Sequence, residues 1–259
     1  MNPGPATEFQ CASQKRAPGR LERLKNGALD LLYPENLYCI CCEDAMEQSR
    51  IHGICDRCAA KIDWLSRDPF SASLDEFAFD RVMSCCVYGF YSRKIMHGLK
   101  LHGKTYIAKN AGLLMAEKAK LEGFCSGLIV PVPSSPKKLK ARGYNQAGLL
   151  ARHVGKELGL PVLDALEKQR ETPSMRLSTG LERRMLLDGA FAVRENACET
   201  LPGADILLVD DVVTTGSTAD ACAIALKDAG VKTVSVLCFA SAARAFAPED
   251  DPNGLHHTS

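Results

Sequence analysis

The segment from Ile206 to Asp220 carries the pattern with the clearest chemical meaning in this chain. An apolar run ends in two adjacent carboxylates, Asp210 and Asp211, and a hydroxyl-rich turn then leads into a predicted helix. The carboxylates can hold hydroxyl groups and a hydrated Mg²⁺. Backbone N–H groups at the start of a helix attract anions. The turn that would wrap a phosphate consists of Thr214, Thr215, Gly216, Ser217 and Thr218. Hydroxyls and phosphate on one small molecule indicate a phosphorylated sugar.

A simpler interpretation of this segment is a strand-to-helix turn with an ordinary Asp or Thr cap. Such a cap needs one polar side chain, whereas this turn follows two carboxylates in sequence. Adjacent carboxylates repel each other, so a second acid without a ligand would only cost stability. The order of strand, acid pair, hydroxyl-rich turn and helix therefore favours a binding site.

A second group of chemically capable residues lies near the N-terminus as two Cys-x₂-Cys pairs, with twelve residues between them. Its four members are Cys39, Cys42, Cys55 and Cys58. This spacing is typical of a tetrahedral zinc site, and four thiolates leave no open position for catalysis. We therefore expect a structural zinc that folds a segment too short to form a core alone. A redox dithiol and an iron–sulfur cluster remain alternatives, with Cys41 and His52 as rival ligands.

The other cysteines show no shared spacing and are predicted to be small buried hydrophobic residues. They are Cys11, Cys41, Cys85, Cys86, Cys125, Cys198, Cys222 and Cys238. The chain has 259 residues and a net charge of +1, so no global field attracts it to nucleic acid or membrane. We expect a cytoplasmic protein, because neither a signal-peptide core nor an apolar run long enough to span a bilayer occurs.

Continuous apolar runs alternate with helical patterns along most of the chain, which predicts an α/β fold with a parallel sheet covered by helices on both faces. Predicted buried strands cover residues 127–132, 205–209 and 232–240, and predicted helices cover residues 104–121, 144–158 and 217–229. Residues 81–91 are predicted to form a strand pair or hairpin. A short helix is also expected within residues 21–32.

Residues 209–218, V-D-D-V-V-T-T-G-S-T, resemble the phosphoribosyl-pyrophosphate (PRPP) motif of type I phosphoribosyltransferases. The run from Val130 to Pro133, followed by R-G-Y-N-Q at residues 142–146, is similar to the ComF family. Arg170-x-Thr172 through Gly189-Ala190-Phe191 and the cysteine ribbon ahead of the domain are also similar to that family. The resemblance implies a type I phosphoribosyltransferase-like fold preceded by a small zinc ribbon. The implied domains are a disordered N-terminus with a short helix (1–34), the ribbon (35–66), the transferase-like domain (77–245) and a flexible tail (246–259).

The resemblance also implies roles for individual residues. Asp210 and Asp211 would face the ribose hydroxyls with Mg²⁺ nearby, and Thr214 to Thr218 would hold the 5-phosphate. The loop after Pro133 would neutralise the leaving pyrophosphate. Its basic residues are Lys137, Lys138, Lys140 and Arg142, which could otherwise be a solvated basic turn. Arg142 joins the two acids as a predicted catalytic residue, and Lys100 is a further candidate for the site.

Residues 168–188 are polar and are expected to form a mobile lid over the site. Met175 and Leu186 stand where the family pattern has Gln and Asn, so the lid has lost hydrogen-bonding capacity. These departures affect the expectation of catalysis more than the expectation of PRPP binding.

Three functions follow from these patterns. The first is an enzyme that transfers phosphoribose from PRPP to a nitrogen acceptor. The second, which the resemblance to ComF favours, is a PRPP-binding module in DNA uptake that works with a competence helicase and single-stranded DNA. The third is a PRPP-sensing regulator, for which no convincing helix-turn-helix is found.

Overall fold

The computed structural model describes residues 37–46, 52–68, 74–101, 104, 106–124, 126–170 and 189–242. The strands are β1 (Arg81–Val87), β2 (Leu128–Pro131), β3 (Leu166–Lys168), β4 (Phe191–Val193), β5 (Asp205–Val213) and β6 (Thr233–Ser241). The α-helices are α1 (Asp56–Ala59), α2 (Phe90–Leu101), α3 (Tyr106–Leu121), α4 (Pro136–Arg142), α5 (Gln146–Leu158) and α6 (Ser217–Asp228). Short 3₁₀ helices cover Leu74–Glu76 and Glu195–Ala197.

The main sheet has the order β1-β6-β5-β2, and every pair in it is parallel. Successive residues of β5 point to opposite faces, so its apolar run fills two cores. Leu207 packs with α3 and α5 on one face, whereas Leu208 packs with α6 on the other. The predicted parallel sheet with helices on both faces is therefore confirmed. A separate antiparallel pair joins β3 to β4.

The prediction of a strand pair or hairpin over residues 81–91 was wrong, because β1 is one strand that leads into α2. Ser92 marks the turn: its hydroxyl accepts the N–H of Gly89 and donates to the carbonyl of Val87 at 2.8 Å. Helical spacing then buries Ile95 and Leu99 completely against the core. Apolar residues recur every second position in a strand and about every 3.6 positions in a helix. The composition of one continuous apolar segment therefore does not reveal where the strand ends and the helix begins.

The cysteine segment, described at residues 37–46 and 52–66, packs directly on the sheet. Leu65 donates its N–H to the carbonyl of Cys85, and Asp63 accepts the N–H of Val87, so this stretch follows the outer edge of β1. The buried amine of Lys118 donates to the carbonyls of Leu65 and Ser66 at 3.0 and 2.9 Å. These bonds fix the chain as it leaves the edge of β1.

Within the described residues, no helix is both long and apolar enough to cross a membrane. The short helix expected within residues 21–32 and the expected tail at 246–259 lie outside the described residues.

Candidate functional site

The acid pair lies inside β5, near its carboxyl end, and not after the strand as the apolar run predicted. Val212 and Val213 continue the parallel pairing opposite Ala240 and Ser241. The neighbouring strand β6 is long enough to extend the ladder past the acids, which the composition of β5 alone does not reveal. The acids therefore sit on a rigid strand at the edge where the parallel strands end.

Backbone hydrogen bonds orient both carboxylates. Oδ1 of Asp210 accepts the N–H of Asp211 at 2.8 Å, and Oδ1 of Asp211 accepts the N–H of Val212 at 2.9 Å. Burial, and then the negative charge of Asp211, raise the pKa of Asp210 to about 8. The site therefore favours the protonated form of Asp210 more than water does, so near neutral pH the pair carries less charge than two free carboxylates.

Lys100, in the last turn of α2, forms an ion pair with Oδ2 of Asp211. Burial alone would lower the pKa of Lys100, but the charge and hydrogen bond of Asp211 raise it above its ordinary value. The ammonium group is therefore charged at neutral pH. The sequence marked Lys100 only as a further candidate, and the structure brings it into direct contact with the acid pair.

The hydroxyl-rich turn joins β5 to α6 and leads directly into the start of that helix. Gly216 adopts a left-handed conformation with φ of 75°, and α6 begins at Ser217. Residues other than glycine rarely adopt this backbone conformation. The hydroxyls of Thr215 and Ser217 lie 3.0 Å apart. One small pocket is lined by Asp210, Thr214, Thr215, Gly216, Ser217 and Thr218, together with neighbouring apolar residues. The predicted phosphate residues thus lie together with one of the acids.

The basic segment after Pro133 is helix α4 and not an irregular loop. Ser135 caps its start, Pro136 takes the first helical position, and Gly143 ends it in a left-handed conformation. Lys137 and Lys138 are exposed on it. Within the described part of the chain, no ion pair joins either lysine to the acid pair.

The R-G-Y-N-Q stretch connects α4 to the site through side-chain hydrogen bonds, and the sequence had indicated a role only for its arginine. Arg142 donates to the side chain of Gln146 at 2.9 Å, so the predicted catalytic arginine has an internal partner. The hydroxyl of Tyr144 donates to the carbonyl of Leu99 at 2.5 Å, next to Lys100. The side chain of Asn145 donates to the carbonyl of Val132 at 3.0 Å. The compact five-residue motif was the signal that could have indicated these roles.

The four predicted zinc ligands lie together, with their Sγ atoms all within 4.8 Å of one another. Those of Cys42 and Cys55 are 3.8 Å apart, which fits the roughly 3.8 Å edge of a tetrahedron with Zn–S bonds of about 2.3 Å. Sγ of Cys39 accepts the N–H groups of Cys41 and Cys55 at 3.4 Å each. Such bonds stabilise a thiolate, so the cluster is suited to a structural zinc.

Neither rival ligand belongs to this cluster. The thiol of Cys41 donates to the carbonyl of Tyr91 at 3.8 Å, and burial raises its pKa to about 11. Nε2 of His52 lies 2.7 Å from a carboxylate oxygen of Glu117 on α3. Both side chains therefore join the cysteine segment to the helices beneath it.

The remaining cysteines are mostly buried, as predicted. Buried thiols belong to Cys41, Cys85, Cys86, Cys222 and Cys238. Cys198 is exposed, so the prediction was wrong there, because its turn after the second 3₁₀ helix lies at the surface. Cys11 and Cys125 lie outside the described residues, as do Met175 and Leu186 of the predicted lid.

Comparison with known proteins shows which proteins this chain resembles. Residues 139–253 match the model of the phosphoribosyl transferase domain. The chain is 36% identical over 109 residues to Competence protein F of Haemophilus influenzae, covering 42% of this chain and 47% of that protein. It is 24% identical to Competence protein ComFC of Bacillus subtilis, covering 82% and 86%. It is 30% identical to DNA utilization protein YhgH of Salmonella typhi, covering 56% and 64%.

The match thus spans about half the length of the Haemophilus relative and most of the Bacillus one. The cysteine cluster, the parallel sheet and the acid pair before a hydroxyl-rich turn agree with these matches. The chain is thus similar to competence proteins of the ComF type, and part of it matches the phosphoribosyl transferase domain.

Proposed function

We propose that this protein binds Mg²⁺–PRPP at the carboxyl end of β5 and acts in DNA uptake. The observation that carries the binding proposal is the shared pocket of Asp210 and the Thr214–Thr218 turn. A carboxylate beside an anion-binding helix start matches the hydroxyls and phosphate of one phosphorylated pentose. The family's PRPP motif coincides with these residues.

In this proposal, the turn holds the 5-phosphate and the two acids hold the ribose hydroxyls. Gly216 lets the backbone approach the phosphate closely, because it has no Cβ atom. The oxygen donors of Asp210 and Asp211 are the type that Mg²⁺ prefers, so the acids can also orient a hydrated ion. Bound with PRPP, that ion neutralises charge on the diphosphate. The cysteine cluster takes a structural zinc and leaves no open coordination position.

A second candidate function is transfer of phosphoribose from PRPP to a nitrogen acceptor. It is favoured by basic helix α4, which follows β2 at the sheet edge where the acids lie. Lys137, Lys138 and Arg142 would neutralise the pyrophosphate as it leaves the anomeric carbon. The protein would then mainly position the reactants and exclude water from an oxocarbenium-like transition state.

The role in DNA uptake is supported by the relatives named as competence and DNA utilization proteins. We propose that PRPP or a related phosphoribosyl group is a ligand in that process. We also propose a competence helicase and single-stranded DNA as partners, met in the cytoplasm. The cysteine segment is the candidate docking surface, because its outer residues Leu37 and Tyr38 are exposed.

Isothermal titration calorimetry with PRPP, with and without Mg²⁺, tests the binding proposal. We expect binding that requires Mg²⁺ and is lost in Asp210→Asn/Asp211→Asn. Asp205→Asn, at the opposite end of the same strand, is the matched control and should keep binding. Absence of binding in the wild-type protein, or equal binding by the acid-pair variant, would refute the proposed site.

Two further measurements separate the candidate functions. Release of pyrophosphate from Mg²⁺–PRPP in the presence of nucleobases or amines would support transfer, and its absence with all of them would contradict it. A deletion strain of the host that takes up transforming DNA at the normal frequency would argue against the role in DNA uptake.

A further inference from the structure

The contact between Lys100 and Asp211 occupies the oxygen that a cation would need. Oδ1 of Asp211 accepts the N–H of Val212 at 2.9 Å, so Oδ2 is the oxygen that no backbone bond engages. The ammonium group of Lys100 lies on that atom. The side chains of Lys100 and Asp211 are only 27% and 13% exposed, so water screens this pair less than a surface ion pair.

Lys100 is held at this position by the packing of α2. Ile95 and Leu99 are completely buried beneath it, and the carbonyl of Leu99 accepts the hydroxyl of Tyr144. The cysteine segment holds the other end of the helix, because the thiol of Cys41 donates to the carbonyl of Tyr91. These contacts position α2 so that the side chain of Lys100 reaches Asp211.

We propose that Lys100 is a built-in counter-ion that keeps free divalent cations off Asp211, so that the metal enters the site only together with a diphosphate ligand. A divalent ion at Oδ2 would have to share this small space with a positive ammonium group, and the two repel each other. A metal–diphosphate complex carries net negative charge, so the same ammonium attracts it. Lys100 thereby selects the complex over the free ion. The selection of the complex rests on the proposed function, whereas the exclusion of the free ion does not.

Electron paramagnetic resonance with Mn²⁺ alone, without PRPP, tests the exclusion at pH 7.5 on zinc-loaded protein. We expect Lys100→Met to bind one Mn²⁺ at least about tenfold more tightly than the wild-type protein. Lys100→Arg keeps the charge and should retain the weak wild-type binding. Lys120→Met, which removes an exposed ion pair with Glu157, is the matched control and should also behave as wild type.

Two results would overturn the proposal: equal Mn²⁺ affinity of wild type and Lys100→Met, or tight binding that persists in Lys100→Met/Asp211→Asn. Circular dichroism establishes whether Lys100→Met is folded, and Lys100→Gln provides a second neutral variant with the same expected gain. PRPP binding is measured separately by calorimetry. Failure of PRPP to bind would refute the proposed function while leaving the Mn²⁺ result interpretable.

Discussion

Replacing Asp210 with Asn should make the ligand-free protein more stable while removing Mg²⁺–PRPP binding. Burial and the nearby charge of Asp211 raise the pKa of Asp210 from 3.8 to about 8. Between these values the folded state holds a proton that the unfolded chain has released. The free energy of unfolding therefore falls as pH rises through this window. Because Asn cannot ionise, the free energy of unfolding of the variant does not fall in this pH range.

The size of the gain follows from the width of the window. From the ordinary pKa of 3.8 up to pH 7, the free energy of unfolding falls over about three pH units. Each unit corresponds to about 1.4 kcal/mol, so the loss at pH 7 is at most about 4 kcal/mol. The side chain is only partly removed from solvent, and Lys100 shares the charge. We therefore expect about half of that limit, or about 2 kcal/mol of added stability at pH 7.

Urea unfolding of zinc-loaded protein at pH 5.5 and pH 8 measures the effect. The stability difference between Asp210→Asn and wild type should be larger at pH 8 by more than about 1 kcal/mol. Asp164→Asn, which makes the same change on a side chain that is 69% exposed, is the matched surface control. A stability difference for Asp210→Asn that is equal at both pH values would refute the reasoning about a buried protonated acid.

Two other substitutions have clear expected outcomes. Gly127→Ala should destabilise the protein by about 3 kcal/mol or more, because a Cβ would lie 2.2 Å from the carbonyl oxygen of Asp205 at a φ of 125°. Gly89→Ala has open space around its Cβ, so urea unfolding should show little change, and similar losses for both variants would contradict the steric explanation. Cys55→Ser should lose the single bound zinc in a metal assay and lower the unfolding temperature. The control Cys198→Ser changes an exposed thiol and should keep both the zinc and the wild-type unfolding temperature. Full zinc retention by Cys55→Ser would contradict the proposed ligand set.

Features carried by neighbouring residues were predictable from the sequence. The apolar runs of β2, β5 and β6 predicted the parallel sheet, because a strand buried on both faces needs continuous hydrophobic residues. The glycine and hydroxyls after Asp211 predicted the turn that starts α6. The ends of helices and strands were less predictable. Strand β5 extends past the acids because residues of β6, which is distant in sequence, continue to pair with it there.

The sequence by itself determined the four-cysteine cluster, the acid pair and the hydroxyl-rich turn as candidate sites, since spacing of a few residues along the chain decides which groups can converge on one small ligand. The tertiary structure alone decided that Lys100 lies on Asp211, that burial and the charge of Asp211 raise the pKa of Asp210, and that His52 pairs with Glu117 rather than joining the cysteines. These contacts depend on how α2 and α3 pack against the sheet and the cysteine segment. Their chemistry comes from burial and from charges brought together across long stretches of chain, which no local pattern encodes.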